Sequence, residues 1–452
     1  MRGIDRLIKV LISEKFELEK KYILDVILGD FLGVPFRVEV GNYDGYVLCV
    51  GEKRILVKDY FFSNVSEETY LDIKFFPKEI KTYKYHEEDL IVIYGKGEVR
   101  EEIDEIVSEL DIFSSSYFML TRWEEHVSQA RDRHGRFDED TSFSVRASFF
   151  HRPVVNEYLD FLKLLLRQVG YSEPFKSHKF SVFHSHDVDD VLLWKNPLQF
   201  AKYFIKYAFL YPSLSFTLKS FFQYPLSVFF PTLDPYYTFD YLMSLSGALN
   251  VPSYFFFMSG GTSVEDNRYK LTSPLVLNLM QHICDSGHKI GFHPSYNSFN
   301  NVGMFKKEYT LLNEVSPQPL LFGRQHYLRF EAPLTWQIWD DFGFKESSTL
   351  GFSSRVGFRT GTCYKYPVFN FITRKRLNLK ESPLHIMDVA CHSPNLCATL
   401  MMFDRNRDLI KKVKYFEGSL GLLWHNSNIN LPDWQLFKLG YEAMLNEITS
   451  LK

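Results

Sequence analysis

The sequence predicts an α/β protein: a closed or nearly closed β/α barrel over residues 179–452, behind a smaller N-terminal α+β unit. Three observations carry this. From about residue 180, apolar runs of strand length alternate with helical stretches, the order that builds β/α architectures. About seven such runs fall within roughly 270 residues, enough for a barrel. Clusters of His, Asp and Arg follow these runs, and the carboxyl ends of strands are where a barrel keeps its chemistry. The length of 452 residues suits two to three domains, and 45% hydrophobic with 24% charged residues suits a globular chain with real cores.

Residues 1–150 read as an α+β accessory unit. Leu and Ile at three- and four-residue spacings predict helix over 1–33. Val38–Val40, Tyr46–Val50 and Arg54–Val57 read as strands. Asp89–Tyr94 reads as another, entering Gly95-Lys-Gly97 and a helix over Glu101–Leu110. That strand–turn–helix resembles the start of a dinucleotide fold, but the third glycine is missing, and a plain βα turn explains it better. The polar segment 113–150 gathers Arg131, Arg133, His134 and Arg136 around Gly135. It could contact an anionic sugar or a phosphate, or be a solvated loop. Pro153 opens a helix over 154–169 that Gly170 stops, the expected asymmetry of helix ends. Residues 151–178 are taken as the connecting helix.

In the second unit, strands are expected at 180–186, 253–258, 289–293, 319–323, 347–350, 384–388 and 419–424. Helices are expected at Pro274–Ser286 and Pro333–Phe342. An insert over 191–238, rich in Phe, Tyr, Leu and Lys, interrupts this order. It reads first as a lid over the barrel mouth, and second as a segment that touches a membrane surface.

Four polar clusters carry the chemistry. The strand Phe180–Phe183 runs into His184, His186, Asp187, Asp189 and Asp190. Acids so crowded repel one another unless a cation binds them; a solvated turn capping the next helix is the alternative. The second cluster is Gly287-His-Lys-Ile-Gly-Phe-His293-Pro-Ser-Tyr-Asn297. The third is Gly323-Arg-Gln-His326-Tyr-Leu-Arg329, and the fourth ends in Trp424-His425-Asn426. A hydrolytic metal site needs two or three protein ligands, an open position for water, a base for that water and an acid for the leaving group. These clusters hold all of those residue types.

The order of the four motifs resembles the polysaccharide deacetylases, the NodB-type carbohydrate esterases of family 4. Within them it is most similar to a bacterial branch with an extra N-terminal domain, found among surface-polysaccharide biosynthesis proteins. The resemblance covers about residues 180–452, and 110–170 is similar to the branch's accessory domain. It implies a distorted (β/α)7 barrel and a divalent metal, zinc first, with cobalt or another transition metal as alternatives. By motif position it implies Asp187 as general base and Asp189 as metal-binding acid, one residue later than in the common Asp-Asp form. His293 matches the first metal histidine, Arg324 the residue that orients the acid, and His425 the histidine that protonates the leaving amine. Where a second metal histidine is expected stands Asn297, a poorer ligand for zinc. Asn297 could bind weakly, His326 could replace it, or the site could hold no catalytic metal. His186 is a supporting residue or a further ligand, and His184 a core residue. Tyr296, Arg329 and Arg359 are candidate substrate contacts by the same resemblance. Glu381 and Asp388 could meet substrate hydroxyls, or cap and pair within the protein.

The expected function is therefore metal-dependent hydrolysis of N-acetyl groups on a sugar or glycan, in capsule, O-antigen or exopolysaccharide synthesis. The substrate could be lipid- or nucleotide-linked. Alternatives are an inactive barrel that binds glycans and another amide or imide hydrolase on the same fold. A net charge of −3 argues against nucleic acid. The five cysteines, with no Cys-x-x-Cys pair, argue against a disulfide framework or a cysteine zinc site, and Cys363, Cys391 and Cys397 are read as structural. Absence of a secretory h-region and of about 18 consecutive apolar residues places the expectation in the cytoplasm, at most peripheral to the inner membrane face.

Overall fold

A computed structural model of the chain describes residues 7–85, 89–210, 213–266, 269–392 and 396–452, with 210 and 396–402, Cys397 among them, described by backbone alone. The described N-terminal segment is not helical from its start. Ile8, Val10 and Ile12 are buried and alternate with half-buried neighbours, so Ile8–Ser13 is a strand, and helix begins only at Glu17–Leu24. Residues 1–6 of the expected helix lie outside the described residues. The alternation has period two, which outweighs the looser helical spacing. The strand pairs parallel with Phe36–Gly41 and antiparallel with Tyr46–Val50. Lys53–Val57, Glu105–Leu110 and Gly95–Glu101 complete a six-stranded sheet. Gly95-Lys-Gly97 thus opens a strand that pairs antiparallel with Glu105–Leu110; no phosphate-binding helix follows it, and the helix expected over Glu101–Leu110 is strand.

The helix Val154–Gln168 packs against Ile112–Thr121 and Leu90–Val92. Its Tyr158 hydroxyl donates to Ile91 O at 2.6 Å, and Phe161 packs edge-on against Tyr85. Cys363 and Cys391 are buried, and burial pushes their thiols up; Cys49 and Cys284 are also free. These thiols are packing groups rather than nucleophiles.

The second sheet holds nine strands in the order Tyr366–Asn370, Lys375–Glu381, Glu346–Ser347, Phe322–Gly323, Lys289–Phe292, Ser253–Phe257, Ser181–Val188, Ser419–Leu423 and Ile386–Met387. All neighbours are parallel except the first pair, an antiparallel hairpin that the sequence reading missed. Lys375–Glu381 stands second in this order and Ile386–Met387 last, yet they are joined by residues 382–385 alone. Ser382 N–H donates to Ser347 O at 2.8 Å, Leu384 N–H to Leu350 O at 3.1 Å and His385 N–H to Gly421 O at 3.0 Å. Helices pack outside. Pro274–Asp285 starts on Ser273, whose side chain accepts from Val276 N–H, with proline first. The aromatic content fills the layer between: Trp339 lies against Phe292, Phe305 and Phe344 at ring separations of 6.0, 5.2 and 4.5 Å.

The insert forms the helices Pro197–Ile205 and Leu214–Ser227, with the wider turn Lys206–Leu210 between them. Tyr211 and Pro212 lie outside the described residues. At its base the Asp234 carboxylate accepts from Leu193, Trp194 and Tyr236 N–H groups at 2.8–2.9 Å. Among the described residues no helix is long and apolar enough to cross a membrane.

Candidate active site and metal centre

Side chains alternate along Ser181–Val188, and the site follows from that alternation. His184 and His186 point one way, Ser185 and Asp187 the other. His184 Nδ1 lies 2.6 Å from Ser246 Oγ, and its Nε2 meets the Tyr441 hydroxyl. His186 Nδ1 donates to Trp424 O at 2.7 Å, and its Nε2 lies 3.2 Å from Ser253 Oγ. Both rings are fully buried. Burial pushes His184 well down and His186 down to about 4, so both are neutral. His186 is therefore a packed, hydrogen-bonded ring and not a further ligand.

On the opposite face, Asp187 Oδ1 accepts from Arg324 Nη1 at 2.7 Å. The fully buried guanidinium also donates to Ser185 Oγ, Ser348 Oγ and Ser348 O, at 2.8, 3.1 and 2.7 Å. It is thereby fixed in plane, and it fixes Asp187.

Asp189 lies one residue beyond the strand. Three imidazoles turn their Nε2 atoms toward its carboxylate: His293 at 3.4 Å, His326 at 3.7 Å and His425 at 3.7 Å. Two of the three Nδ1 atoms donate to an acceptor, and the third has a carboxylate nearby. His293 Nδ1 donates to Arg324 O at 2.7 Å, and His425 Nδ1 donates to Asp388 Oδ1 at 2.8 Å. His326 Nδ1 faces Asp266 Oδ1 at 3.5 Å. Ligand atoms of Asp189, His293 and His326 all lie within 4.8 Å of one another. Two donors on one tetrahedral Zn²⁺ sit about 3.3 Å apart, given metal–ligand distances of about 2.0–2.1 Å, so the spacing suits such an ion. Among the described residues Asp189 Oδ1 has no hydrogen-bond partner, as a ligand oxygen awaiting a cation would. The His293 and His326 side chains are 1% and 4% exposed and Asp189 is 37% exposed, so the cluster opens to solvent on the acid's side.

The electrostatics agree with the geometry. Desolvation works against ionising Asp189, but His293, His326 and His425 outweigh it and hold the carboxyl far below its usual range. Burial disfavours charge on His425; Asp388, with Asp189 and Asp187 behind it, overrides this and pushes the imidazole up to about 10. Asp388 is fully buried and also accepts His425 N–H at 2.8 Å and Asn428 Nδ2 at 2.9 Å. It is a partner of His425 rather than a contact for substrate hydroxyls. Glu381 likewise faces inward, accepting Leu350 N–H at 2.7 Å and Trp336 Nε1 at 3.1 Å.

The other expected site residues separate. Asn297 is exposed, and its side-chain oxygen accepts from Arg329 Nη1 at 3.0 Å; the imidazole at the cluster is His326. Arg329 also donates to Tyr296 O at 2.6 Å, and its guanidinium lies 4.1 Å from both the Tyr296 and Phe299 ring centres. Tyr296 Oη is 3.0 Å from His134 Nδ1, which brings the 131–137 loop of the first unit to this rim. Within that loop Arg136 pairs with Asp132 at 2.6 Å and donates to Tyr327 O at 3.0 Å. Arg359, expected as a substrate contact, is turned inward instead. It is 4% exposed, with Nε and Nη2 donating to Glu125 at 2.9 and 2.8 Å and Nη1 to Gly351 O at 2.8 Å, so no donor faces substrate. A buried arginine must be paired, and its partner comes from residue 125, out of reach of local sequence reading.

Sequence reasoning missed Asp266. It accepts from Tyr296 N–H at 2.7 Å and Ser263 N–H at 2.8 Å while facing His326. Burial raises its carboxyl, but those donors and His326 prevail and hold it low. The nearby Gly261 gives a weak local signal: its φ is +126°, and a Cβ there would stand 2.3 Å from the Asp266 carboxylate.

Residues 8–171 match DUF7033, a family of unknown function. No curated protein matches the chain at a significant level. Among solved structures, one described as a polysaccharide deacetylase from Mycobacterium smegmatis is 17% identical with a TM-score of 0.39, over 62% of this chain and 86% of that one. BA3943, a CE4-family pseudoenzyme from Bacillus anthracis, is 10% identical with a TM-score of 0.29, over 60% of this chain and 61% of its own. A mutant of that pseudoenzyme with restored enzymatic activity scores 0.26 at 11% identity, over 46% and 56%. These likenesses are distant, and the functional reading rests on the site itself.

Proposed function

We propose that the protein is a metal-dependent deacetylase that hydrolyses the N-acetyl group of a sugar or glycan. The observation that carries this is the convergence of Asp189, His293 and His326 on one point, flanked by an arginine-held Asp187 and a carboxylate-held His425. In this reading the run 375–387 serves as one strand that closes a distorted seven-stranded barrel, pairing first with the 346–350 side and then with 419–423. The hydrogen bonds of Ser382, Leu384 and His385 support that closure.

Asp189, His293 and His326 would hold the ion, and their mixed nitrogen–oxygen set suits Zn²⁺ or Co²⁺. When bound, the ion would lower the pKa of a water and polarise the acetyl carbonyl. Asp187, whose Oδ2 lies 3.7 Å from His293 Nε2, takes the proton from the attacking water. Arg324 keeps that carboxylate aimed. The C–N bond breaks as His425 passes its Nε2 proton to the departing amine, and Asp388 holds the imidazole in place for that transfer. Arg329, Tyr296, Tyr327 and His134 form the rim that would seat the sugar, a few polar groups on aromatic faces.

The test is acetate release from a panel of N-acetylated mono- and oligosaccharides, with and without Zn²⁺ or Co²⁺. Asp187→Asn and His425→Ala should each lower kcat by about 10²–10⁴-fold. Release of acetate by both variants at the wild-type rate sinks the role assignment. A protein that binds glycans but carries no metal, and gains no activity when metal is added, is a binding module.

A further inference from the structure

We propose that the insert spanning residues 197–230 docks the protein on the surface of an anionic lipid bilayer, its outer apolar face lying at the headgroup–acyl boundary. The insert is apolar on two sides. Its inner face is used in folding: Phe200, Tyr203, Phe216 and Tyr224 pack around Trp194, Tyr207 and Leu431. Its outer face is not. Leu214, Leu218, Phe222 and Leu226 recur every four residues along Leu214–Ser227, one stripe of a helix, and each is more than half exposed. Phe209 and Phe229 extend the patch at 76% and 79% exposure. A helix that packs on a globular core ordinarily turns a polar face to water, and a contiguous apolar patch of this kind marks an interaction surface. A lid over the barrel mouth would use the inner face and leave the outer one polar.

Charge selects the occupant. Between Asp190 and Asp234 there is no acidic residue, while Lys195, Lys202, Lys206 and Lys219 all fall there, Lys195 paired with Asp190 and Lys206 with Asp433, in a chain of net charge −3. Lys202 and Lys219 are exposed on the same helices. Lysine is depleted in protein–protein interfaces, whereas lysines beside Phe and Leu are the composition of helices that lie in the plane of an anionic membrane. The base of the insert is clamped beside the site: Asn426 Nδ2 donates to Asp190 O and Tyr236 O, both at 2.8 Å. Those anchors adjoin Asp189 and His425 in sequence, so docking sets the site mouth close to the bilayer. A corollary, which rests on the deacetylase reading as the docking itself does not, is that the glycan is carried on a lipid.

The experiment is flotation of the full chain with vesicles of phosphatidylcholine alone and of phosphatidylcholine mixed with phosphatidylglycerol. The wild type should float with the mixed vesicles, more weakly with the neutral ones, and less as salt rises. Lys202→Glu with Lys219→Glu should weaken binding to mixed vesicles by about tenfold or more. Leu218→Gln, Phe222→Gln and Phe229→Gln together should abolish flotation while leaving the thermal melt and metal content unchanged, since these side chains are exposed. The proposal is overturned if the wild type stays unbound with both vesicle types, or if the triple variant floats like wild type. It is equally overturned if light scattering shows that the patch instead joins two copies of the chain. None of these readouts uses activity, so failure of the deacetylase reading leaves the result intact.

Discussion

Asp388 accepts from His425 Nδ1 as Arg324 O accepts from His293 Nδ1, and Asp266 stands 3.5 Å from His326 Nδ1. Each faces Nδ1 and turns Nε2 toward Asp189. Such partners raise ligand basicity and hold ring orientation, and their loss commonly weakens metal binding by about 10–100-fold. Affinities measured with a competing chelator should therefore rank three variants. His326→Ala loses a ligand and should lower Zn²⁺ affinity by more than about a hundredfold, beyond the range of supporting partners. Asp266→Asn should fall within that range. Asn297→Ala should leave affinity near wild type, because its oxygen serves Arg329. If Asn297→Ala proves as damaging as His326→Ala, the ligand set is wrong.

At the scale of elements, the strand ends gather the titratable groups, and one of these lies buried away from the Asp189 cluster. Glu381, at the end of Lys375–Glu381, is fully buried, and burial pushes its carboxyl from near 4.5 up to about 7 despite its N–H donors. A raised carboxyl binds its proton more tightly in the folded chain than in the unfolded one. Stability should thus fall as pH rises from about 4.5 to about 7 and level off above, by up to a few kcal/mol. Glu381→Gln should remove that slope in melts taken across the window, whatever its effect on the absolute melting temperature; an unchanged slope would assign the titration elsewhere. Much of this layer is legible in sequence, because strands at 181–188, 253–257, 289–292 and 419–423 are apolar runs bounded by polar clusters. In Lys375–Glu381 and Ile8–Ser13 the signal is the period-two recurrence of Leu377 and Leu379 and of Ile8, Val10 and Ile12, which charged or helix-spaced neighbours mask. Asp266 and the Glu125 partner of Arg359 are different in kind. Their roles are set by residues about 60 and 234 positions away, contacts that local propensity does not encode.

At the scale of the molecule, one buried apolar core runs between the six-stranded and nine-stranded sheets, and buried charge crosses within it. Glu125 accepts from Arg359 and from Arg122 Nε at 2.9 Å, all of them within the junction. Further out, Arg374 grips Glu19 at 2.7 and 2.8 Å, and the Tyr22 hydroxyl donates to Pro367 O at 2.9 Å. The hairpin of Tyr366–Asn370 and Lys375–Glu381 is therefore a seat for the first unit as well as an edge of the second sheet. The same junction delivers the 131–137 loop to the rim, where His134 meets Tyr296. Two arginines that the sequence groups together should then separate in experiment. Arg359→Met leaves Glu125 buried with one partner fewer, and breaking such a pair costs roughly 3–5 kcal/mol. Arg122 stays in place, so the lower end is expected, read as a melting temperature lowered by several degrees with KM for the glycan unchanged. Arg329→Ala removes a half-buried side chain stacked between Tyr296 and Phe299 at the rim. It should raise KM severalfold and move the melt little. Should Arg359→Met raise KM at an unchanged melting temperature, Arg359 reaches substrate after all, and the junction is held by other groups.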